Sequence, residues 1–252
     1  LNYRKVLITG AGGDLGTELC RQFAQQGTAI VAVNRSRQPI ETLSQSLPAT
    51  AEFHPYFVDQ SDCEATDALL PTILAEHSDI DLVLLNAGID KPQKLTDFDW
   101  RLAKQHFDIN VISNYVFLAH LVPYFLRRGQ GHIAAVSSLA GYAGFPYEHV
   151  YNGSKAAVRM MVDGIRIELQ GSGIAVTGIY PGFLEGRMAE GNAWQVDGYL
   201  SQTEAAATII AGLQQGSAEI AFPAAQAEQV AQVLALPQEE RDSLIAQMMA
   251  MD

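Results

Sequence analysis

The chain has 252 residues, 48% hydrophobic and only 17% charged, and carries a formal net charge of -12 at pH 7. That length and apolar content suit one α/β domain with a large core, and the shortage of Lys and Arg excludes sequence-independent nucleic-acid binding, which works by neutralising phosphates. Cys20 and Cys63 form no pair or ligand cluster and the six histidines lack metal-type spacing, so no metal is expected. No apolar run nears the ~18 residues of a membrane span and no leader pattern opens the chain, which predicts a cytoplasmic protein.

Residues 5–9 read as a buried strand, followed by Gly10, Gly12, Gly13, Asp14, Leu15 and Gly16 and then by a helical pattern ending at Gly27. Strand, glycine turn and helix in that order make a pyrophosphate cradle, because residues without Cβ let backbone N–H groups and the helix terminus approach an anion. A ligand-free tight turn has the same spacing. Residues 29–33 are a second strand, ending at Asn34-Arg35-Ser36-Arg37. An acidic residue here would accept from a free ribose 2′-hydroxyl, whereas arginines pair with a 2′-phosphate. Arg35 and Arg37 therefore favour NADP(H), with NAD possible; the alternative is that both arginines are merely solvated.

Residues 53–58 and 79–85 are further strands, closing on Asp59-Gln60 and Asn86-Ala87-Gly88, with a helix over 62–77 between them. This alternation predicts a doubly wound parallel sheet of Rossmann type, with ligands beyond the carboxyl ends of its strands. From 100 to about 127 the apolar residues recur with helical period, and a kink is expected near Pro123. Asn110, set among apolar neighbours in that helix, either finds a partner for its amide or has a function.

The strand at 132–136 ends at Ser137-Ser138, and the helix behind it places Tyr151 and Lys155 four residues apart on one face. Hydroxyl, phenol and ammonium can converge there. A nearby cation is expected to lower the phenol from its usual ~10 so that it exchanges a proton near neutrality, although such a pair also arises as a packed ring beneath a solvated amine. A sixth strand at 174–179 ends at Tyr180-Pro181-Gly182, Ser201 and Glu204 form a capping box, and 218–222 is a last strand. Two helical patterns make a tail at about 224–252, the second opening at Pro237. No repeat or linker divides the chain, so residues 1–252 are read as a single domain.

Together, Thr9-Gly10 to Gly16, Asn86-Ala87-Gly88, Asn110, Ser138, Tyr151-x-x-x-Lys155 and Pro181-Gly182 resemble the short-chain dehydrogenase/reductase family over about residues 5–222. The resemblance implies a tetrad of Asn110, Ser138, Tyr151 and Lys155. Tyr151 would exchange a proton with the substrate oxygen, Ser138 would hydrogen-bond that oxygen, Lys155 would lower the phenol's pKa and hold ribose hydroxyls, and Asn110 would hold a water. It also implies that Asp59 meets the adenine, that Leu15 and Leu184 give backbone contacts, and that Pro181-Gly182 closes over the nicotinamide.

Several positions depart from the family pattern. Asp14 takes a glycine's place, and the glycines at 10, 13 and 16 match a longer branch with many nucleotide-sugar enzymes. The Thr often found after Pro-Gly is missing near Glu185-Gly186, and the glycine-rich ending of tetrameric members is replaced by helices. A homodimer through the helices of Trp100 and Tyr151 is expected, with a tetramer possible. Substrate contacts are expected from 139–149 and from a mobile lid at 183–200, which holds Met188, Glu190, Asn192, Trp194 and Tyr199. The expectation is an NADP(H)-dependent oxidoreductase interconverting a medium-sized, small-molecule carbonyl and its alcohol. The alternatives are a cofactor-binding regulator without turnover and a nucleotide-sugar epimerase or dehydratase.

Overall fold

The computed structural model describes residues 1–188 and 198–248. Strands β1 (Lys5–Thr9), β2 (Ala29–Asn34), β3 (Phe53–Phe57), β4 (Leu82–Leu85), β5 (Gly131–Val136), β6 (Ile174–Pro181) and β7 (Glu219–Phe222) form one sheet in the order β3-β2-β1-β4-β5-β6-β7. Every pairing is parallel. Strand side chains alternate between faces, and here both faces are apolar: Val6 and Ile8 of β1 enter one core, Leu7 the other. Continuous apolar strands of this kind need helices on both sides.

One face is covered by α1 (Asp14–Gln25), α2 (Arg37–Ser46) and α7 (Gln202–Gln215), which contribute Leu19, Phe23, Ile40, Leu43, Ile209 and Leu213. The other is covered by α3 (Cys63–Glu76), α5 (Ser113–Arg128) and α6 (His149–Glu168), through Leu70, Ile73, Phe117, Leu121, Phe125, Val158 and Val162. Each such apolar side chain, fully buried, contributes about 1.5–3 kcal/mol. The expected capping box is present: Glu204 N–H donates to Ser201 Oγ at 3.2 Å, and Ser201 N–H to the Glu204 carboxylate at 3.3 Å. After α7 and β7, the tail folds as α8 (Ala224–Leu234) and α9 (Gln238–Met248).

Three features differ from the sequence reading. Helix α2 was not expected, and Arg37 is its first residue. In the long helical run, α4 (Trp100–Phe107) and α5 are joined by a π-helical turn, Asp108–Ile112, while Pro123 lies within α5. A helical irregularity is therefore found at Asn110, where a widened turn re-aims side chains. Finally, Trp100–Arg128 is long and apolar enough by length and composition to cross a bilayer, although polar residues are scattered along it. Its Phe117, Leu118, Leu121 and Phe125 are spent on the sheet's core.

The chain leaves β1 for β2 and β3 on one side and returns to β4 on the other. That reversal opens a crevice beyond the carboxyl ends of β1 and β4.

Candidate active site

A cavity of about 820 Å³ occupies that crevice. Gly10, Gly12, Gly13, Asp14, Leu15 and Gly16 line it from the turn between β1 and α1. Gly10 has φ 64, and a Cβ there would stand 2.9 Å from the Ala87 Cα, so the turn requires glycine. Asn34 does not face a ligand alone: its Oδ1 accepts from Gly12 N–H at 3.2 Å and its Nδ2 donates to the Ser36 carbonyl at 2.8 Å, tying the turn to the end of β2.

Arg35 lines the cavity, with its guanidinium 3.8 Å from the Asp59 carboxylate. Both groups are well exposed, so the pair is weak and open to competition by another anion. Asp59 also accepts from Ser61 N–H at 3.0 Å and Ser61 Oγ at 2.7 Å. Burial raises its carboxyl, but the Ser61 bonds and Arg35 prevail and hold it below its usual pKa. Gln60 lines the cavity and its buried Oε1 receives no donor. Arg37 is absent from the lining, because as the first residue of α2 it stacks 4.2 Å over the Phe57 ring. The structure thus brings one of the two arginines to the cleft.

Asn86, Ala87 and Gly88 line the cavity floor. Thr9 Oγ1 accepts from Asn86 N–H at 2.9 Å and Ala87 N–H at 3.0 Å, and Asn86 Nδ2 donates to the Thr9 carbonyl at 3.0 Å, so this motif locks β4 to β1. Asn110 lies behind the floor and does not line the cavity. Its Oδ1 accepts from Ile89 N–H at 2.8 Å, and its Nδ2 donates to the Ile89 carbonyl at 3.0 Å and to Ser154 Oγ at 2.9 Å. The amide thus has protein partners on both its oxygen and its nitrogen.

Ser138, Tyr151 and Lys155 meet at the cavity wall. Ser138, at the end of β5, accepts from Ala140 N–H at 3.1 Å and donates to the Pro181 carbonyl at 3.2 Å. Lys155 Nζ donates to the Val136 carbonyl at 3.0 Å and stands 5.5 Å from the Tyr151 ring centroid. Burial lowers the ammonium to about 8, with the Asp90 charge opposing. The phenol departs from expectation. Burial, together with the charges of Asp90 and Glu148, pushes Tyr151 upward, and only its hydrogen bond with Ser138 pulls it down. The amine faces a carbonyl and the side of the ring, so its charge does not offset the loss of water around the hydroxyl.

Asp90, on the loop after β4, and Glu148, at the head of α6, are not legible as a pair in the sequence. Both line the cavity, and their carboxyls hydrogen-bond each other. Asp90 Oδ1 and Glu148 Oε2 are buried with no hydrogen-bond partner, a lack that a proton held between the two carboxyls would make good. Burial raises Glu148 to about 9, with Asp90 adding to the shift, and burial raises Asp90 also. Tyr147, held at φ 68 with its carbonyl accepting from Gln93 N–H at 2.8 Å, sets Glu148 at the start of α6. A non-glycine residue at that angle costs about 1–3 kcal/mol.

Pro181 at the end of β6, and Gly182 and Leu184 in the strap after it, line the cavity. Arg187 of this strap donates from Nη2 to Asp14 Oδ1 at 2.7 Å and from its backbone N–H to Asp14 Oδ2 at 2.8 Å. Burial raises the Asp14 carboxyl, yet the bonds and charge of Arg187 outweigh it and hold the group below its ordinary pKa. The two ends of the strap are stitched together by Glu185 N–H to the Leu200 carbonyl and Leu200 N–H to the Phe183 carbonyl, both 3.0 Å. From α8, Gln226 accepts from Phe183 N–H at 3.0 Å and donates to the Gly198 carbonyl at 3.2 Å, and it lines the cavity with Val230 and Val233. The tail was not expected to reach the site. Met188 and Tyr199 line the cavity, while Glu190, Asn192 and Trp194 lie outside the described residues.

A family model described as short chain dehydrogenase matches residues 4–196. An uncharacterized oxidoreductase of Myxococcus xanthus (strain DK1622) is 30% identical over 224 residues, covering 88% of each chain. Among solved structures, a short chain dehydrogenase from Burkholderia cenocepacia J2315 in complex with NADP is similar with a TM-score of 0.80 at 24% identity, over 97% of this chain and 96% of that one. A short-chain dehydrogenase from Sphingobium yanoikuyae in complex with NADPH gives 0.79 at 20% identity, over 93% and 96%. At those identities the two structures speak for the fold.

Proposed function

The chain belongs to the short-chain dehydrogenase/reductase family and is an oxidoreductase, and from that premise we propose that it interconverts a small-molecule carbonyl compound and its alcohol with NADP(H). The observation that carries this reading is the meeting of Ser138, Tyr151 and Lys155 on the wall of a cavity that also holds the glycine turn.

A dinucleotide fits the residues present. The turn at Gly10 leaves no room for a Cβ, Gly13 caps α1 with no side-chain bond to the first-turn amides, and Gln60 Oε1 is a buried acceptor still lacking a donor. The glycine turn and first turn of α1 would take the pyrophosphate, Arg35 a 2′-phosphate, Asp59 and Gln60 the adenine end, and Asn86 to Gly88, Lys155 and Pro181 to Leu184 the nicotinamide riboside. When bound, the nicotinamide supplies or accepts the hydride.

The protein's own part is proton transfer and positioning. Burial keeps the Tyr151 phenol protonated, so its hydroxyl can give a proton to a carbonyl oxygen that becomes an alkoxide. In the reverse direction the same oxygen takes the proton back. Ser138 Oγ, by turning from the Pro181 carbonyl, donates to the substrate oxygen and fixes its distance from the phenol. Lys155 spends one of its three N–H donors on the Val136 carbonyl and would offer the others to ribose hydroxyls, and its lowered pKa keeps the proton exchangeable near neutrality.

The NADP preference rests on Arg35 and on the absence of an acidic residue after Asn34, and it agrees with the cofactors held by the two solved relatives. An apolar rim of Leu139, Ala143, Phe145, Met188 and Tyr199 suits a medium-sized carbonyl compound. Exposed Phe107, Ile112, Tyr115, Met160 and Ile167 on α4, the π turn, α5 and α6 support a homodimer through those helices.

A panel of aldehydes, ketones and alcohols, assayed with both nicotinamide cofactors, tests the reading. Wild-type protein is expected to turn over at least one compound, with Tyr151→Phe losing about 10²–10⁴-fold in kcat while still binding cofactor. A Phe variant with wild-type rate would reject the assignment of the phenol.

A further inference from the structure

The two departures at Asp14 and Gly186 are physically one feature. Gly186 has φ 125, and a Cβ there would stand 2.5 Å from Asp14 Oδ2, so a carboxylate at 14 excludes a side chain at 186. The space is used by the next residue. Arg187 donates to Asp14 through its backbone N–H at 2.8 Å, Nε at 2.8 Å and Nη2 at 2.7 Å, and Nη2 also reaches the Gly12 carbonyl at 3.4 Å. This places a guanidinium directly over the glycine turn, and both Asp14 and Arg187 line the cavity. Asp14 heads α1 but does not cap it with a side-chain bond, so the first-turn amides stay directed at an anion.

Resting on the dinucleotide reading above, we propose that Asp14 and Arg187 form one cofactor-binding unit, in which Asp14 positions Arg187 and Arg187 supplies the positive charge that meets the pyrophosphate. The guanidinium carries five N–H donors in a planar fork suited to phosphate oxygens. It also cancels the carboxylate, which by itself would repel that anion. The strap after β6 is thereby tied to the phosphate end of the cleft, on the side where a hydroxyl residue is missing.

The test is calorimetric titration of the full chain with NADPH and with NADH, for wild type, Arg187→Gln and the double variant Asp14→Asn/Arg187→Gln. The single Arg187→Gln variant leaves Asp14 uncompensated and is expected to weaken both dinucleotides roughly 10- to 100-fold, because they share the pyrophosphate. Removing the carboxylate as well is expected to recover at least about fivefold of that loss, and wild-type affinity should fall more steeply with salt than that of the single variant. Thermal unfolding without cofactor checks that all three chains are folded; Arg187→Lys, which keeps the charge, replaces Arg187→Gln if the latter is not, with a smaller loss expected. Unchanged affinity in the single variant, or a double variant no better than the single, would overturn the proposal. A wild-type chain that binds neither dinucleotide would instead overturn the dinucleotide reading on which it stands.

Discussion

Replacing Asn110 by Ala removes three hydrogen bonds at once from a side chain that is 1% exposed. Two of them hold the Ile89 N–H and carbonyl at 2.8 and 3.0 Å, and the third reaches Ser154 Oγ on α6 at 2.9 Å. At about 1 kcal/mol net for each bond, the variant is expected to lose about 3 kcal/mol, which a domain stable by ~5–15 kcal/mol survives. The loss also has a place. Ile89 follows Gly88, whose Cα lies close enough to Lys155 that an added Cβ would meet Nζ at 3.3 Å. Loosening Ile89 therefore frees the floor beneath the ammonium, and kcat is expected to fall along with stability. Urea unfolding at neutral pH, with an unchanged m-value, measures the first effect. Asn110→Asp keeps the acceptor for Ile89 N–H but loses both donors, so it should not restore stability. A loss below about 0.5 kcal/mol for Ala would refute this account of Asn110.

The carboxyl pair gives a pH signature. Glu148 rises from 4.5 to about 9 in the folded chain, so between those values the folded state binds more protons than the unfolded one, and stability must fall as pH rises through that window. Glu148→Gln should flatten that decline and be relatively more stable at about pH 9 than at about pH 5; parallel unfolding curves across the range would contradict a shared proton. Arg35→Ala is expected to weaken NADPH roughly tenfold or more and NADH within about twofold, whereas Arg37→Ala, whose guanidinium rests on Phe57, should change their ratio little. Equal effects of the two arginine variants in competition titrations would reject that division. Ser138→Ala should lower kcat about 10²-fold or more without moving the cofactor dissociation constant, read by steady-state rates beside calorimetry.

What was legible in the sequence was local. The apolar blocks of β1 and β2, the spacing of Tyr151 and Lys155 on α6, and the Ser201–Glu204 capping box each depend on neighbours within a few positions, and each is found as expected. Helix α2 was hidden because Arg37, Gln38 and Pro39 look like loop residues, although Pro is favourable in a first helical turn. What depended on distant partners was not legible. The Asp14–Arg187 bond spans 173 positions, and the pairing of Asp90 with Glu148 joins the loop after β4 to the start of α6. The direction of the Tyr151 shift followed the same rule. An amine four residues away suggested a softened phenol, but burial, the distant Asp90 and the neighbouring Glu148 reverse the sign.

The most direct test of the central claim follows one hydrogen. With NADPH carrying deuterium at both hydrogens of the nicotinamide C4 and a carbonyl compound turned over in the panel, the product alcohol should carry one deuterium at the former carbonyl carbon, in proportion to NADP+ released. A product free of deuterium, or formed with no net consumption of NADPH, would contradict hydride transfer at this site.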